Sequence, residues 1–419
     1  MSALSFLQSL DTTSIILLFW YTTLLEIPRY TIGALLVATS SAWLPRTGPE
    51  SDLTVSVVLV GHNEAQALAP CIEALAEQTI AGQPGRMQVI VVDDGSTDGM
   101  AGIARKLQRE HKIDELLRLT LRGGKSAGVN LGLSVCKGDI VIIADVDTTF
   151  DRDAFALILR HFADPRVGAV SGNLGARNAS ATLVTRHQAI EYAIGISVGR
   201  RIADLLGMLS IVSGAFGAFR RTAVEAVGGQ DVEVGEDADL TMKLRRAGWR
   251  IRFAPEARAL TQVPETVSAL IAQRLRWDRG LITIWARKFR GALDPRQSTF
   301  RVTDALALCD VIGFQVVLAL AFPVYLVWLW LYFGEFAATI ISATLVGYLV
   351  LDIAAFAAAV VASRHIPLRF VIYLPVYTAF QITVMRIVRL IAVMQELVFR
   401  SSYRDPYVPG RVMQQAEIV

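Results

Sequence analysis

Asp145 and Asp147 are two carboxylates one residue apart, at the end of the run Asp139-Ile140-Val141-Ile142-Ile143-Ala144. The run has the make-up of a buried strand. Strand side chains alternate faces, so the two acids point the same way and Val146 turns back toward the core. Neighbouring carboxylates repel, and a cation between them relieves the cost. A plain acidic turn at a strand end has the same composition, so the pair needs support from elsewhere. Some comes from Arg122-Gly123-Gly124-Lys125-Ser126. This is not a Walker A loop, because Leu119 stands where the first glycine should be. A Gly-rich turn with one Lys can still hold a diphosphate through backbone N–H groups and a point charge. A simple strand-to-helix turn is the alternative. A diphosphate beside a metal pair suggests a nucleoside-diphosphate leaving group, with the cation neutralising the charge that develops on departure. The attacking hydroxyl then needs a base. Asp237, downstream and apart from the pair, is the candidate. Glu236 and Asp237 precede Leu240, Leu244 and Ala247 at helical spacing, so acids favoured at a helix start are the competing explanation.

These residues need a scaffold, and the pattern from Leu53 onward supplies one. Leu53–Val60, Met87–Val92 and the run into Asp145 read as strands. Ala67–Gln78, Met100–Glu110 and Asn130–Cys136 read as helices. Short apolar strands alternating with helices predict parallel βαβ units with helices on both faces. Ligands bind beyond the carboxyl ends of such strands. The polar punctuation falls at those ends: Gly61-His62-Asn63-Glu64, then Asp93-Asp94, then Asp145 and Asp147. Farther on, Val263 to Arg290 reads as an amphipathic helix opened by Pro264. Gln273, Arg276 and Trp277 share one face of it at i, i+3 and i+4. A membrane-surface or core helix is the usual meaning of that pattern, but packing alone does not require Gln and Arg beside the Trp.

Of the 419 residues, 53% are hydrophobic, which is high for an ordinary soluble protein. Ser14 to Val37 is long enough to cross a bilayer, with Glu26, Pro28 and Arg29 predicting either a kink or a part that lies at the interface. It lacks the basic start of a signal peptide. Asp304–Phe333, Phe336–Ala362 and Phe370–Met394 are further candidate spans. Arg29, Arg46, Arg364 and Arg369 place the adjoining loops in the cytoplasm by the positive-inside rule. Arg386 and Arg389 face a protein interior or a water-filled path, or snorkel to the interface. The net charge of +3 gives no case for nucleic acid. Cys71, Cys136 and Cys309 form neither a disulfide framework nor a zinc site, and five scattered His exclude a transition-metal cluster.

In order, Asp93-Asp94-Gly95, Asp145-Val146-Asp147, Glu236-Asp237 and Gln273-Arg274-Leu275-Arg276-Trp277 resemble the motifs of membrane-embedded family 2 glycosyltransferases. That group contains the cellulose, hyaluronan and poly-N-acetylglucosamine synthases, and the last motif matches its QxxRW signature. The resemblance covers Leu53 to Arg290 and implies an α/β GT-A-like domain with a Rossmann-like mixed sheet, joined to an α-helical transmembrane region. The expected division is a transmembrane segment over 1–45 and the glycosyltransferase domain over 46–262. Interfacial helices follow over 263–302, transmembrane helices over 303–399 and a polar tail over 400–419.

The resemblance also implies roles. Asn63, Glu64 and Asp94 would hold uridine and ribose, with Lys125, Gln273 and Arg276 at the diphosphate. Asp145 and Asp147 would bind Mg²⁺ or Mn²⁺. Ser213, Gly214, Glu236 and Trp277 would meet the acceptor, and Asp237 would be the base of an inverting transfer. Three positions depart from the cellulose synthases: His62 replaces Tyr, Gly235 replaces Thr before Glu-Asp, and Ser213 replaces Cys. No long regulatory extension is expected after the last span.

The implied activity is processive polymerisation from UDP-glucose or UDP-N-acetylglucosamine at a bacterial-type inner membrane. The catalytic domain would be cytoplasmic, the chain would be exported through the protein's own helices, and accessory export subunits are conceivable partners. Arg386, Arg389, Asp310 and Asp352 are the expected lining of that path. Transfer to a lipid acceptor is the alternative, and QxxRW does not separate the two. A non-catalytic scaffold would be expected to lose some of the acids, and none is lost.

Overall fold

The computed structural model describes residues 3–20, 22–43, 48, 52–363, 366–404 and 409–410. Arg46, Arg364 and Pro406 lie outside them. Eight strands form one sheet: β1 Val55–Gly61, β2 Met87–Asp94, β3 Glu115–Leu119, β4 Ile140–Asp145, β5 Thr149–Phe150, β6 Val167–Ala176, β7 Phe216–Arg220 and β8 Arg250–Thr261. Their order is β3-β2-β1-β4-β7-β6-β8-β5. β1 is parallel to β2 and β4, and β2 is parallel to β3. This half is the βαβ arrangement that the alternating strands and helices predict.

The other half is mixed. β7 runs antiparallel to both β4 and β6, while β6 and β8 are parallel. That reversal matters for the site. The chain enters β7 beside the carboxyl end of β4, with Phe216 opposite Ala144.

The central strands are buried on both faces, which accounts for their near-continuous apolar sequences. Val57, Leu59, Ile142, Ala144 and Val146 belong to one core cluster. Val58, Val60, Val141 and Ile143 belong to the cluster on the opposite face. Each fully buried aliphatic side chain contributes about 1.5–3 kcal/mol, so the β1–β4 pair is held firmly. Phe216 seals the first cluster, stacked on Phe155 and edge-on to Phe150 at 5.1 Å between ring centres.

One element has no counterpart in the sequence expectations. Leu183–Glu191, Tyr192–Gly199 and Arg200–Leu205 run on as one helical stretch inside the α/β domain. Ala189, Ile190, Ala193 and Val198 on it pack with Phe356, Ala359, Phe370, Leu374 and Tyr377. The domain is therefore docked on the C-terminal helices by an apolar seam.

Among the described residues, two helices are long and apolar enough to cross a membrane: Val302–Phe333 and Phe336–Val361. Only 18% and 22% of their most apolar windows are buried in the protein. Exposed Trp330, Leu331, Tyr332 and Val361 make an apolar surface suited to lipid. The third expected span is instead a composite, arginine-bearing helix of Leu374–Phe380, Gln381–Met385 and Arg386–Phe399. At the N-terminus the expected span is divided into the helices Thr12–Leu18 and Ile27–Trp43 with a wide turn over Thr22–Glu26, and it is not one of the two long apolar helices named above.

Candidate active site

Strand register brings the acidic motifs to one level. Gly61 pairs with Asp93 across β1–β2, and Val60 with Asp145 across β1–β4. The loops that follow these strands therefore open on the same edge of the sheet.

Asn63 adopts a left-handed φ of 58° and fastens two of these loops together. Its backbone N–H donates to Ser96 Oγ at 3.0 Å, and its side-chain oxygen accepts from Thr97 N–H at 2.8 Å. His62 Nδ1 lies 2.7 Å from the Asp94 carbonyl oxygen. Asp94 is 2% exposed, and its carboxylate accepts from Gly123 N–H at 2.6 Å and Gly124 N–H at 2.9 Å. Asp94 thus clasps the Gly-rich loop, which sets the start of the helix Lys125–Leu133.

From that helix Lys125 reaches the centre of the site. Its ammonium pairs with Asp145 Oδ1 and donates to the Gly214 carbonyl at 3.2 Å. Asp147 accepts from Thr261 Oγ1 at 3.2 Å, so the end of β8 supports the second carboxylate. Burial and the neighbouring Asp145 charge raise the Asp147 carboxyl above its ordinary range. Glu64 feels both acids. Burial first, then Asp145 and Asp147, push it up to about 8, and its Oε2 is buried with no hydrogen-bond partner among the described residues.

Three carboxyls thus face one small volume, and added positive charge there lowers their mutual repulsion. The donor set is hard oxygen, which suits Mg²⁺ or Mn²⁺. Among the described residues no three His, Cys, Asp or Glu side chains form a metal-holding group. Asp145 and Asp147 are oxygen donors of the kind that such a cation takes.

The turn Ser213–Ala215 enters from the reversed strand β7. Ser213 is buried, and Gly214 N–H donates to Asp237 Oδ2 at 3.4 Å. A Cβ on Gly214 would lie 2.9 Å from Lys125 Nζ and 3.7 Å from the Asp237 Cβ, so a side chain there would shift the Lys125 ammonium.

Asp237 stands in the first turn of the helix Glu236–Arg246, and its Oδ1 accepts from Ala238 N–H at 2.7 Å. The capping residue Gly235 has φ +95°, a left-handed backbone that Thr would adopt only under strain. That geometry accounts for glycine where the cellulose synthases have Thr. Glu236 is buried, and burial raises its carboxyl, with the nearby Lys125 opposing.

The helix Val267–Thr283 carries the last motif. Its buried anchor is Arg274, which lies between the residues that the sequence pattern favoured. Arg274 Nη1 donates to Gln273 Oε1 at 2.7 Å and Nη2 donates to Glu191 Oε2 at 2.7 Å. Its guanidinium carbon lies 4.1 Å from the centre of the Trp277 ring, while Trp277 is 43% exposed. Arg276 is half-buried on the same helix. Glu191 and Arg200, both on the unforeseen helical stretch, were missed. Arg200 donates to Ser171 Oγ at 2.9 Å and lies close enough to Asp237 for their charges to interact. No local sequence signal marks either, because their partners are distant in the chain.

Residues 140–379 match the family described as glycosyl transferase family group 2. The chain belongs to this family. The poly-beta-1,6-N-acetyl-D-glucosamine synthase of Staphylococcus aureus (strain COL) is 30% identical over 266 residues, 63% of each chain. Its counterpart in Staphylococcus epidermidis is 30% identical over 237 residues, 56% of each. The chain thus spans less than two thirds of the length of the curated relatives it matches. The mannosyltransferase PcManGT from Pyrobaculum calidifontis, solved with GDP-Man and Mn²⁺, superposes with a TM-score of 0.61 at 22% identity. The match covers 88% of this chain and 96% of that one. It shows that the fold of this glycosyltransferase is GT-A-like.

A cavity of about 240 Å³ lies where the N-terminal helices and the Leu183–Leu205 stretch meet the C-terminal helices. Glu26, Glu191, Asp352, Arg386 and Arg389 line it, with Tyr30, Tyr348, Tyr377 and Gln381. Three of the four residues expected on a polar path are here. Asp310 is not among the lining residues; it pairs instead with Arg29 at 3.3 Å on a half-exposed surface, because the kinked N-terminal helix brings that guanidinium alongside.

Proposed function

We propose that this glycosyltransferase is an inverting, processive enzyme that polymerises a sugar from UDP-N-acetylglucosamine and passes the β-linked chain through its own membrane helices. One observation carries the reading: Glu191 lines the polar membrane cavity and also holds Arg274 of the QxxRW motif. The acceptor end of the site and the cavity therefore share a residue. The relatives named as poly-N-acetylglucosamine synthases favour N-acetylglucosamine over glucose as the donor sugar.

In this reading the nucleoside sits at the ends of β1 and β2, near Asn63, Glu64 and the loop clasped by Asp94. Lys125 turns its ammonium to the diphosphate, joined by Gln273 and Arg276. Asp145 and Asp147 would hold a divalent cation, Mg²⁺ or Mn²⁺, which would supply charge neutralisation at the leaving diphosphate. Trp277 offers its open face to the terminal sugar of the acceptor, whose C–H face it covers. Ser213 and Gly214 border the acceptor, with Glu236 behind them. Asp237 takes the proton of the attacking hydroxyl. The new C1–O bond forms on the face opposite the leaving group, and the electron pair of the broken bond departs with UDP. Hydroxyl-rich polymer cannot cross hydrocarbon unaided, and the carboxylates, guanidiniums and phenols of the cavity replace its water contacts. The catalytic domain stands on the cytoplasmic side of a multi-pass chain, where nucleotide sugars are made.

The test is incubation of the purified full chain with labelled UDP-sugars, followed by glycosidase digestion. The expected product is high-mass material from UDP-N-acetylglucosamine that a β-N-acetylglucosaminidase degrades. A lipid-extractable product with no high-mass material would overturn the polymer reading in favour of a lipid acceptor.

A further inference from the structure

We propose that Glu191 and Arg274 are positioning residues that set the acceptor platform and tie it to the membrane cavity. The inference rests on the polymer reading above and extends it to residues that do not touch the reacting atoms.

Trp277 is exposed and would be free to swing unless something backs it. Arg274 does so, with its guanidinium carbon over the ring at 4.1 Å while the indole stays partly open to solvent. An arginine this deeply buried needs an anionic partner, and Glu191 pairs with it at 2.7 Å, with the Asp278 charge also nearby. Gln273 Oε1 accepts a second of its N–H groups, so the guanidinium is fixed in plane as well as in depth. Planarity is what lets one side chain stack on an indole and bridge two acceptors, and an ammonium cannot do both.

One turn further along, Asp278 faces Arg389 of the cavity wall at 3.7 Å. Arg274 and Asp278 stand at i and i+4 and send opposite charges toward the cavity lining, one to Glu191 and one to Arg389. Two ion pairs of opposite polarity fix the rotation of this helix about its own axis. The platform therefore cannot turn without breaking contacts at the cavity mouth. Sugar units that leave the platform meet Glu191 next, so the same clasp sets the first step of export.

The test uses the full-length protein in lipid nanodiscs with β-linked N-acetylglucosamine oligosaccharides as added acceptors. Glu191→Gln keeps the size and removes the charge. It is expected to raise the acceptor KM about tenfold and shorten the product, with the donor KM changed less than about twofold. Arg274→Lys should do the same, and Glu191→Asp should restore most of the acceptor affinity. In Trp277→Ala, adding Glu191→Gln should cost little more, because both act on one platform. Unchanged acceptor KM in Glu191→Gln and Arg274→Lys, or losses fully additive with Trp277→Ala, would overturn the inference. A donor KM that rises as much as the acceptor KM would also overturn it, since that marks general damage. Wild-type protein that makes polymer yet ignores added oligosaccharides would overturn it while leaving the polymer reading intact. Wild-type protein that makes no polymer would sink the polymer reading first.

Discussion

Asp145 and Arg274 are both held in place, but by different means. Asp145 ends a strand buried on both faces and registered against β1 by backbone pairing over six positions. Its place follows from the ladder, and no side-chain partner is needed to aim it. Arg274 lies on a helix outside the sheet, and its place follows from Glu191 and Gln273. The strand that bears Asp145 is thus placed by backbone pairing, with Lys125 and Thr261 bonding its acids, and the QxxRW helix by side-chain ion pairs. A backbone-built site is rigid and suits a small, constant ligand such as a diphosphate.

Substitutions can break this contrast. The largest effect is expected at Asp237. Asp237→Asn removes the base and should lower turnover about 10²–10⁴-fold, with nucleotide binding measured by calorimetry almost unchanged. Weakened nucleotide binding would instead place Asp237 in the donor site. Next is Phe216→Ala, which opens the core cluster where β7 meets β4 and should destabilise the domain by about 3–5 kcal/mol. Its test is thermal unfolding, and retained stability would mean that backbone pairing alone holds the donor end. Asp147→Asn should cost about 10²–10³-fold in turnover, with the Mn²⁺ concentration for half activity rising in parallel.

The smallest effect concerns pH. Burial and the two aspartates raise Glu64 to about 8, so the folded state keeps a proton that the unfolded chain releases from about pH 4.5. That favours the fold fully below pH 4.5 and is lost as pH rises through about 8. Glu64→Gln keeps a neutral group at every pH. Relative to wild type it should gain about 1–3 kcal/mol between pH 5 and pH 8 in metal-free buffer, allowing for solvent screening of a half-buried group. Parallel melting curves at the two pH values would reject this.

What the sequence revealed divides along the same line. The alternation at Asp145-Val146-Asp147 was legible because strand periodicity is local, and Val146 is fully buried as expected. The meeting of three strand ends was legible because parallel βαβ units place them so. The reversal at β7 was not, since five residues carry no mark of direction. The QxxRW helix was legible, yet the spacing i, i+3, i+4 drew attention past Arg274. Its importance depends on Glu191, 83 positions away. Leu183–Leu205 gave little helical signal because one side of it packs on membrane helices and the other on the domain. With apolar residues on more than one face, the amphipathic period is blurred. Asp310 looked like a channel residue by composition, but its pairing with Arg29 is a contact across 281 positions.

The reversal at β7 also has a consequence in time. The sheet's N-terminal half, β1 to β4, is synthesised without interruption by any strand of the other half. The support for Asp147 comes from Thr261, 114 residues later. At a synthesis rate of about 5–20 residues per second, that interval is on the order of ten seconds. β4 is an open edge until Phe216–Arg220 follows, and Asp147 lacks its Thr261 partner until the end of the interval. A nascent chain in that state is a substrate for chaperones and proteases. The length of the segment between β4 and β7, as much as the chemistry of the acids, then decides how much of the enzyme survives its own synthesis.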